Sequence, residues 1–189
     1  MSDEAAVPSP ARLLRDFVNT YEPQVDDESL STPDALRAWL AGESLLAPGA
    51  RVRPADLARA VALREGLRQV LLGHAGHPAD PAALRRLEEI LAAVPVRLSL
   101  AGGAPRLLPA GGTPFDRALA GLIDAVRQCA ELQVWTRLKV CDRDTCRWAY
   151  YDASRNQARR WCSMAGCGNY IKMRRAYAAR RVRGSAGSA

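Results

Sequence analysis

Two stretches organise this sequence: Cys141-Asp142-Arg143-Asp144-Thr145-Cys146 and Cys162-Ser163-Met164-Ala165-Gly166-Cys167. In each, four residues separate the cysteines, and fifteen residues separate the two pairs. Zn²⁺ takes four thiolates in a closed tetrahedral structural site, and short-spaced pairs joined by a longer loop suit that geometry. Each pair would form a tight knuckle with both sulfurs on one side of the backbone. Two disulfides and an iron–sulfur cluster are the alternatives. A reducing compartment disfavours the first, and the usual ligand spacings differ for the second. A redox pair would prefer Cys-x-x-Cys, which is absent. With all four positions taken by cysteine, no place remains for a catalytic water, so one structural Zn²⁺ is expected.

The surroundings of the cysteines are strongly basic. The chain has 189 residues and a formal net charge of +7. Residues 1–136 carry 14 basic and 17 acidic side chains, whereas residues 137–189 carry 13 basic and 3 acidic. The second piece therefore has a net charge of +10, and seven of the eleven aromatic residues lie at or beyond Trp135. A basic, aromatic-rich segment on a mildly acidic carrier points to a polyanion partner. After the last cysteine, Asn169 can cap a helix through Tyr170 and Val182. Tyr170, Met173 and Tyr177 form one stripe of that helix, expected to pack on the metal core. Lys172, Arg174, Arg175, Arg180, Arg181 and Arg183 flank the stripe and are candidates to enter a DNA groove or lie along phosphates. The loop between the pairs adds Arg147, Arg155, Arg159 and Arg160, with Asp152, Ser154 and Asn156 available to orient them or to bond phosphate oxygens. Trp148 and Trp161 are expected to pack over the metal site.

The N-terminal piece reads as helical with one hairpin. Thr32-Pro33, Asp80-Pro81 and Thr113-Pro114 each place a capping side chain before a proline at the first helical position. Pro54 opens the longest helix, with Leu57, Val61, Leu67, Val70 and Leu71 at helical spacing. A shorter helix around residues 13–18 should end by the Glu22-Pro23 step. Val96 to Leu100 alternates like a strand, Ala101-Gly102-Gly103-Ala104 supplies a turn, and Arg106 to Pro109 returns. His74 and His77 read as part of a polar loop, and Cys129 as a small buried apolar side chain. No phosphate-cradling glycine loop, nucleophile elbow or paired metalloprotease histidines occur, so no enzyme activity is expected.

The stretch Trp135 to Arg181 resembles the CGNR zinc-finger module of bacterial regulators. The match lies in Arg-Leu-Lys-Val-Cys (137–141), Tyr-Asp-Ala-Ser-Arg-Asn (151–156) and Arg-Trp-Cys-Ser-Met-Ala-Gly-Cys-Gly-Asn (160–169). Residues 15–20 (Arg-Asp-Phe-Val-Asn-Thr) and 32–40 are similar to the ABATE domain that accompanies it. The resemblance implies a stress-linked transcription regulator that binds DNA through its zinc module, with Cys141, Cys146, Cys162 and Cys167 as ligands. At the place of the module's namesake arginine stands Tyr170, which removes one cation, and Lys172 or Arg174 could replace it one turn later.

The expected architecture is mainly α with a small β-hairpin, an α+β chain of four parts. These are a flexible N-terminus (1–10), a helical ABATE-like domain for ligand sensing or oligomerisation (11–134), a basic four-cysteine zinc finger (135–183) and a disordered tail (184–189). About fifty residues have little core of their own, so the finger should fold only with its metal, leaving the helical body largely intact without it. The expected role is a cytoplasmic regulator contacting double-stranded DNA. An adaptor docking on the transcription machinery, RNA polymerase included, is the alternative. The acidic start, Met1-Ser2-Asp3-Glu4, does not read as a secretory signal, and no apolar run suits a membrane span. A homodimer would suit paired half-sites, although no heptad or interface pattern marks one. A small-molecule ligand for the body is left unspecified.

Overall fold

The computed structural model describes residues 7–186, with the side chains of Arg175, Ala179 and residues 181–186 outside what is described. Six α-helices and three two-stranded antiparallel hairpins alternate along these residues. The helices are α1 (Ser9–Val18), α2 (Pro33–Gly42), α3 (Pro54–His74), α4 (Pro81–Ala92), α5 (Pro114–Glu131) and α6 (Asn169–Ala186). The strands pair as β1 (Tyr21–Glu22) with β2 (Asp27–Glu28), β3 (Val96–Ser99) with β4 (Arg106–Pro109), and β5 (Leu138–Val140) with β6 (Ala149–Tyr151).

Local chemistry explains where the helices begin. Each of α1 to α5 has proline at its first or second position, where no backbone N–H is needed. Thr32 Oγ1 accepts from the Ala35 N–H at 3.1 Å, and Asp80 Oδ1 accepts from the Ala82 N–H at 2.8 Å. Thr113 and Asp116 form a reciprocal capping box at the start of α5. The three helices announced by a capping residue and proline therefore start where the sequence places them.

Both chain ends depart from expectation. α1 already begins at Ser9, inside the stretch read as a flexible 1–10 terminus, because Pro8 and Pro10 set its start and Val7 packs on the core. Residues 1–6 lie outside the described residues. At the other end α6 runs to Ala186, so residues 184–186 are helical rather than tail, and residues 187–189 lie outside the described residues. α1 also stops at Val18, before Glu22-Pro23, because Asn19 leaves the helix to serve another contact.

One large core joins the helical body to the β5–β6 hairpin. Leu14 and Phe17 of α1, Leu63 and Leu67 of α3, and Phe115, Leu119 and Leu122 of α5 are buried together. Leu138, Val140 and Ala149 of the β5–β6 hairpin belong to the same cluster and are each 0% exposed. Burying each of the larger two stabilises by about 1.5–3 kcal/mol. The hairpin that leads into Cys141 is thus packed into the helical body, while the cysteines form a small second cluster with Trp148 and Trp161.

A charged network with no counterpart in the sequence pattern pins β1–β2 onto α3. Arg64, 2% exposed, makes two 2.7 Å bonds to the Glu28 carboxylate and one of 2.8 Å to Glu65. Burial would push its pKa down, but the hydrogen bonds from both carboxylates carry it above the ordinary arginine value. Near this network α3 and α4 touch at Gly66, where an added Cβ would lie 2.6 Å from the Leu87 Cβ. Gly66→Ala should therefore force the helices apart and lower stability by about 1–3 kcal/mol, measured by denaturant unfolding.

Candidate metal centre

The two knuckles are built differently. The first follows β5 directly: the Cys141 N–H bonds the Trp148 carbonyl at 2.9 Å and the Cys146 N–H bonds the Arg143 carbonyl at 2.9 Å. The second is a single π-helical turn, Met164–Gly168, capped by Ser163 Oγ, which accepts from the Gly166 N–H at 3.2 Å. That turn runs straight into α6. Asn169 is accordingly inside the helix, its side-chain amide donating to the Ala165 carbonyl at 3.3 Å, and the capping role expected of it belongs to Ser163.

The four sulfurs of Cys141, Cys146, Cys162 and Cys167 lie within 4.8 Å of one another. The Cys146–Cys162 and Cys162–Cys167 separations are 3.8 and 3.9 Å. A tetrahedron with Zn–S bonds of about 2.3 Å has edges of about 3.8 Å. None of the cysteines forms a disulfide, which would need about 2.05 Å between sulfurs. A multi-iron cluster would spread the thiolates over several metal atoms, wider than this cage. The donor set therefore fits one structural Zn²⁺.

Charge leads to the same conclusion. Hydrogen bonds from Cys146 and Cys162 pull the Cys141 thiol well down, and those two donors are pushed up because they keep their protons beside its charge. Soft sulfurs crowded in this way, with their ionisation set against one another, are what a divalent cation resolves. Trp148 and Trp161 pack against the sulfurs, as expected. Cys129 takes no part: it is buried in α5 and burial pushes its thiol up to about 11.

The loop between the knuckles is held by a buried ion pair. Asp152, 0% exposed, accepts from Lys139 Nζ at 2.9 Å, from the Ser154 hydroxyl and N–H, and from the Arg159 N–H at 3.1 Å. Burial alone would raise its pKa, but the bonds from Ser154 and Lys139 hold it below the usual carboxylate range. Of the two roles expected of Asp152 and Ser154, orienting the arginines or bonding phosphate, the buried Asp152 serves the first through the Arg159 N–H, and the Ser154 hydroxyl is spent on Asp152. The single hint in the sequence is a lysine between Leu138 and Val140 in a short apolar strand.

The cations expected to face DNA divide into two groups. Arg159 donates to the carbonyls of Trp161 and Cys162 and lies 5.0 Å from the Tyr150 ring, so it braces the second knuckle. Arg147 pairs with Asp144 at 2.8 Å, and Arg160 with Asp142 at 2.6 Å. By contrast Arg155, Lys172, Arg174 and Arg180 are exposed and form no ion pair among the described residues, and Asn156 makes only weak local bonds. The side chains of Arg175 and Arg181 lie outside the described residues, as does that of Arg183.

The stripe on α6 departs from its expectation. Tyr170, Met173 and Tyr177 are 41%, 72% and 66% exposed, because the turn at 164–168 launches the helix away from the metal. Arg143 of the first knuckle stacks 3.9 Å from the Tyr170 ring centre and approaches Cys167 Sγ at 4.0 Å. Arg174 lies 5.9 Å from the same ring. Two guanidinium groups therefore lie beside the Tyr170 ring.

Four side chains tie the cysteine region to the body. Asn19 Nδ2 donates to the Ala149 carbonyl at 2.9 Å while its Oδ1 accepts from the Ala149 N–H at 2.8 Å. Arg68 donates to the carbonyls of Arg147 and Val18. A ring nitrogen of His74 bonds the Leu138 carbonyl at 2.9 Å, and His77 pairs with Asp142. Both histidines thus leave the polar-loop role for a joint.

Two outcomes follow. Cys162→Ser should release the metal, read by elemental analysis, and should also lower the melting temperature of the helical body, because the hairpin shares its core. His74 is held neutral by burial, its pKa below the ordinary value. The unfolded chain then binds the extra proton first, so stability should fall as pH drops through about 6.5. His74→Phe should flatten that dependence in denaturant titrations of the zinc-loaded protein.

No curated protein matches this chain. A family model described as "Putative stress-induced transcription regulator", ABATE, matches residues 11–134. A second, the CGNR zinc finger, matches residues 137–181 and so spans all four cysteines. The chain belongs to the ABATE family and carries a CGNR zinc finger at its C-terminal side.

Proposed function

We propose that this protein is a DNA-binding transcription regulator of the cytoplasm, without catalytic activity, whose zinc centre serves to present α6 to a DNA duplex. The observation that carries this reading is the isolation of α6. Its described cations Lys172, Arg174 and Arg180 are exposed and form no ion pair among the described residues. From Lys172 onward every described side chain of the helix is exposed, so its length is available to a groove. Exposed guanidinium and ammonium groups on a rigid rod neutralise phosphates and release counterions. Arg143 over Tyr170 adds a positive charge at the base of the rod, and Arg155 adds another from the loop. No helix among the described residues is long and apolar enough to cross a membrane.

A second reading rests on Tyr170, Met173 and Tyr177. Exposed aromatic and methionine side chains suit a protein partner better than phosphate, so an adaptor docking on the transcription machinery, such as RNA polymerase, is the alternative. A homodimer fits either role.

Titration of duplex DNA at several salt concentrations tests the first reading. Lys172→Glu combined with Arg174→Glu should weaken binding to every sequence. It should also make the dependence on log salt shallower by about one unit per phosphate no longer neutralised. Unchanged affinity and slope would assign α6 to the protein partner.

A further inference from the structure

Between α3, α4 and α5 lies a cavity of about 180 Å³ that the zinc centre does not use. Nine of its ten lining side chains are apolar, among them Leu67, Leu91, Ile123 and Val126, and Trp135 closes one side. A cavity of roughly 150 Å³ lined by such side chains stays dry and holds benzene, so this one accommodates a single ring with a short substituent.

The tenth lining residue is Glu88, which is exposed. It forms no ion pair or hydrogen bond among the described residues: the neighbouring Arg86 is taken by Glu89 at 3.0 Å, and Arg85 does not reach it. A lone anion beside an apolar hollow selects for positive charge.

We propose that this cavity binds a small lipophilic cation: one aromatic ring bearing a protonated amine, with the ring among the leucines and Trp135 and the ammonium at Glu88. The occupant would touch the root of the zinc hairpin. Trp135 meets His74 edge-on at 5.0 Å, and His74 holds the Leu138 carbonyl three residues before Cys141. This site does not depend on α6 binding DNA.

The test uses the full-length, zinc-loaded protein and three probes of similar shape: phenethylamine, 2-phenylethanol and phenylacetate. Binding is read from the Trp135 indole N–H resonance, assigned by its absence in Trp135→Phe. Phenethylamine should bind several-fold more tightly than the alcohol, and phenylacetate more weakly than either. Glu88→Gln, at an exposed position that leaves packing untouched, should abolish the amine's advantage while retaining the alcohol. Val126→Phe should fill the cavity and remove binding of all three. Failure of every probe to shift Trp135 would overturn the site. Equal affinities, or an amine preference that survives Glu88→Gln, would overturn its assignment to cations.

Discussion

Four cysteine sulfurs held within 4.8 Å cannot all carry charge unless a cation sits among them, and the C-terminal third of the chain is arranged around this constraint. The two knuckles come from unlike structures, one a turn after a strand and the other a π-helical turn. Only their joint attachment to one ion gives them a fixed relation. Because the second knuckle leads directly into the first turn of α6, the direction of that helix is set at the metal. The buried Asp152–Lys139 pair fixes the intervening loop in a related way, replacing a hydrophobic centre that so short a segment cannot supply. Such a pair is costly to break from one side, at about 3–5 kcal/mol, because the surviving charge is left buried.

Much of this is legible in the sequence, for identifiable reasons. Cysteine spacing is a direct record of ligand geometry, so the metal centre can be read from four positions alone. Helix starts are equally plain, since Thr32, Asp80 and Thr113 before proline leave few other conformations. The partnerships of polar side chains are not. Arg159 and Arg155 look alike in sequence, yet one braces carbonyls beside Cys162 and the other faces solvent. Asn19 reads as a residue beyond a helix end, and its grip on Ala149 lies 130 residues away. Pairings at such separation leave no local pattern. The stripe Tyr170, Met173 and Tyr177 misleads because helical spacing shows which residues share a face but not whether anything packs against it.

The body and the zinc region meet through backbone as much as through side chains. Asn19 satisfies both polar groups of Ala149, Arg68 reaches the Arg147 carbonyl, and His74 reaches that of Leu138. Groups of this kind inside a joint must be paired or they destabilise it. The end of α1 and the second half of α3 therefore carry residues whose roles make sense only with the finger in place, and the finger's hairpin is complete only against the body.

Leu138, Val140 and Ala149 make this finger a poor candidate for transplantation. A cut before Trp135 would strip an apolar hairpin of its cover, and a foreign finger grafted here would have to reproduce those three surfaces. Exchange of such modules between relatives should thus occur as whole chains, with α1 and α3 travelling alongside the cysteines they support.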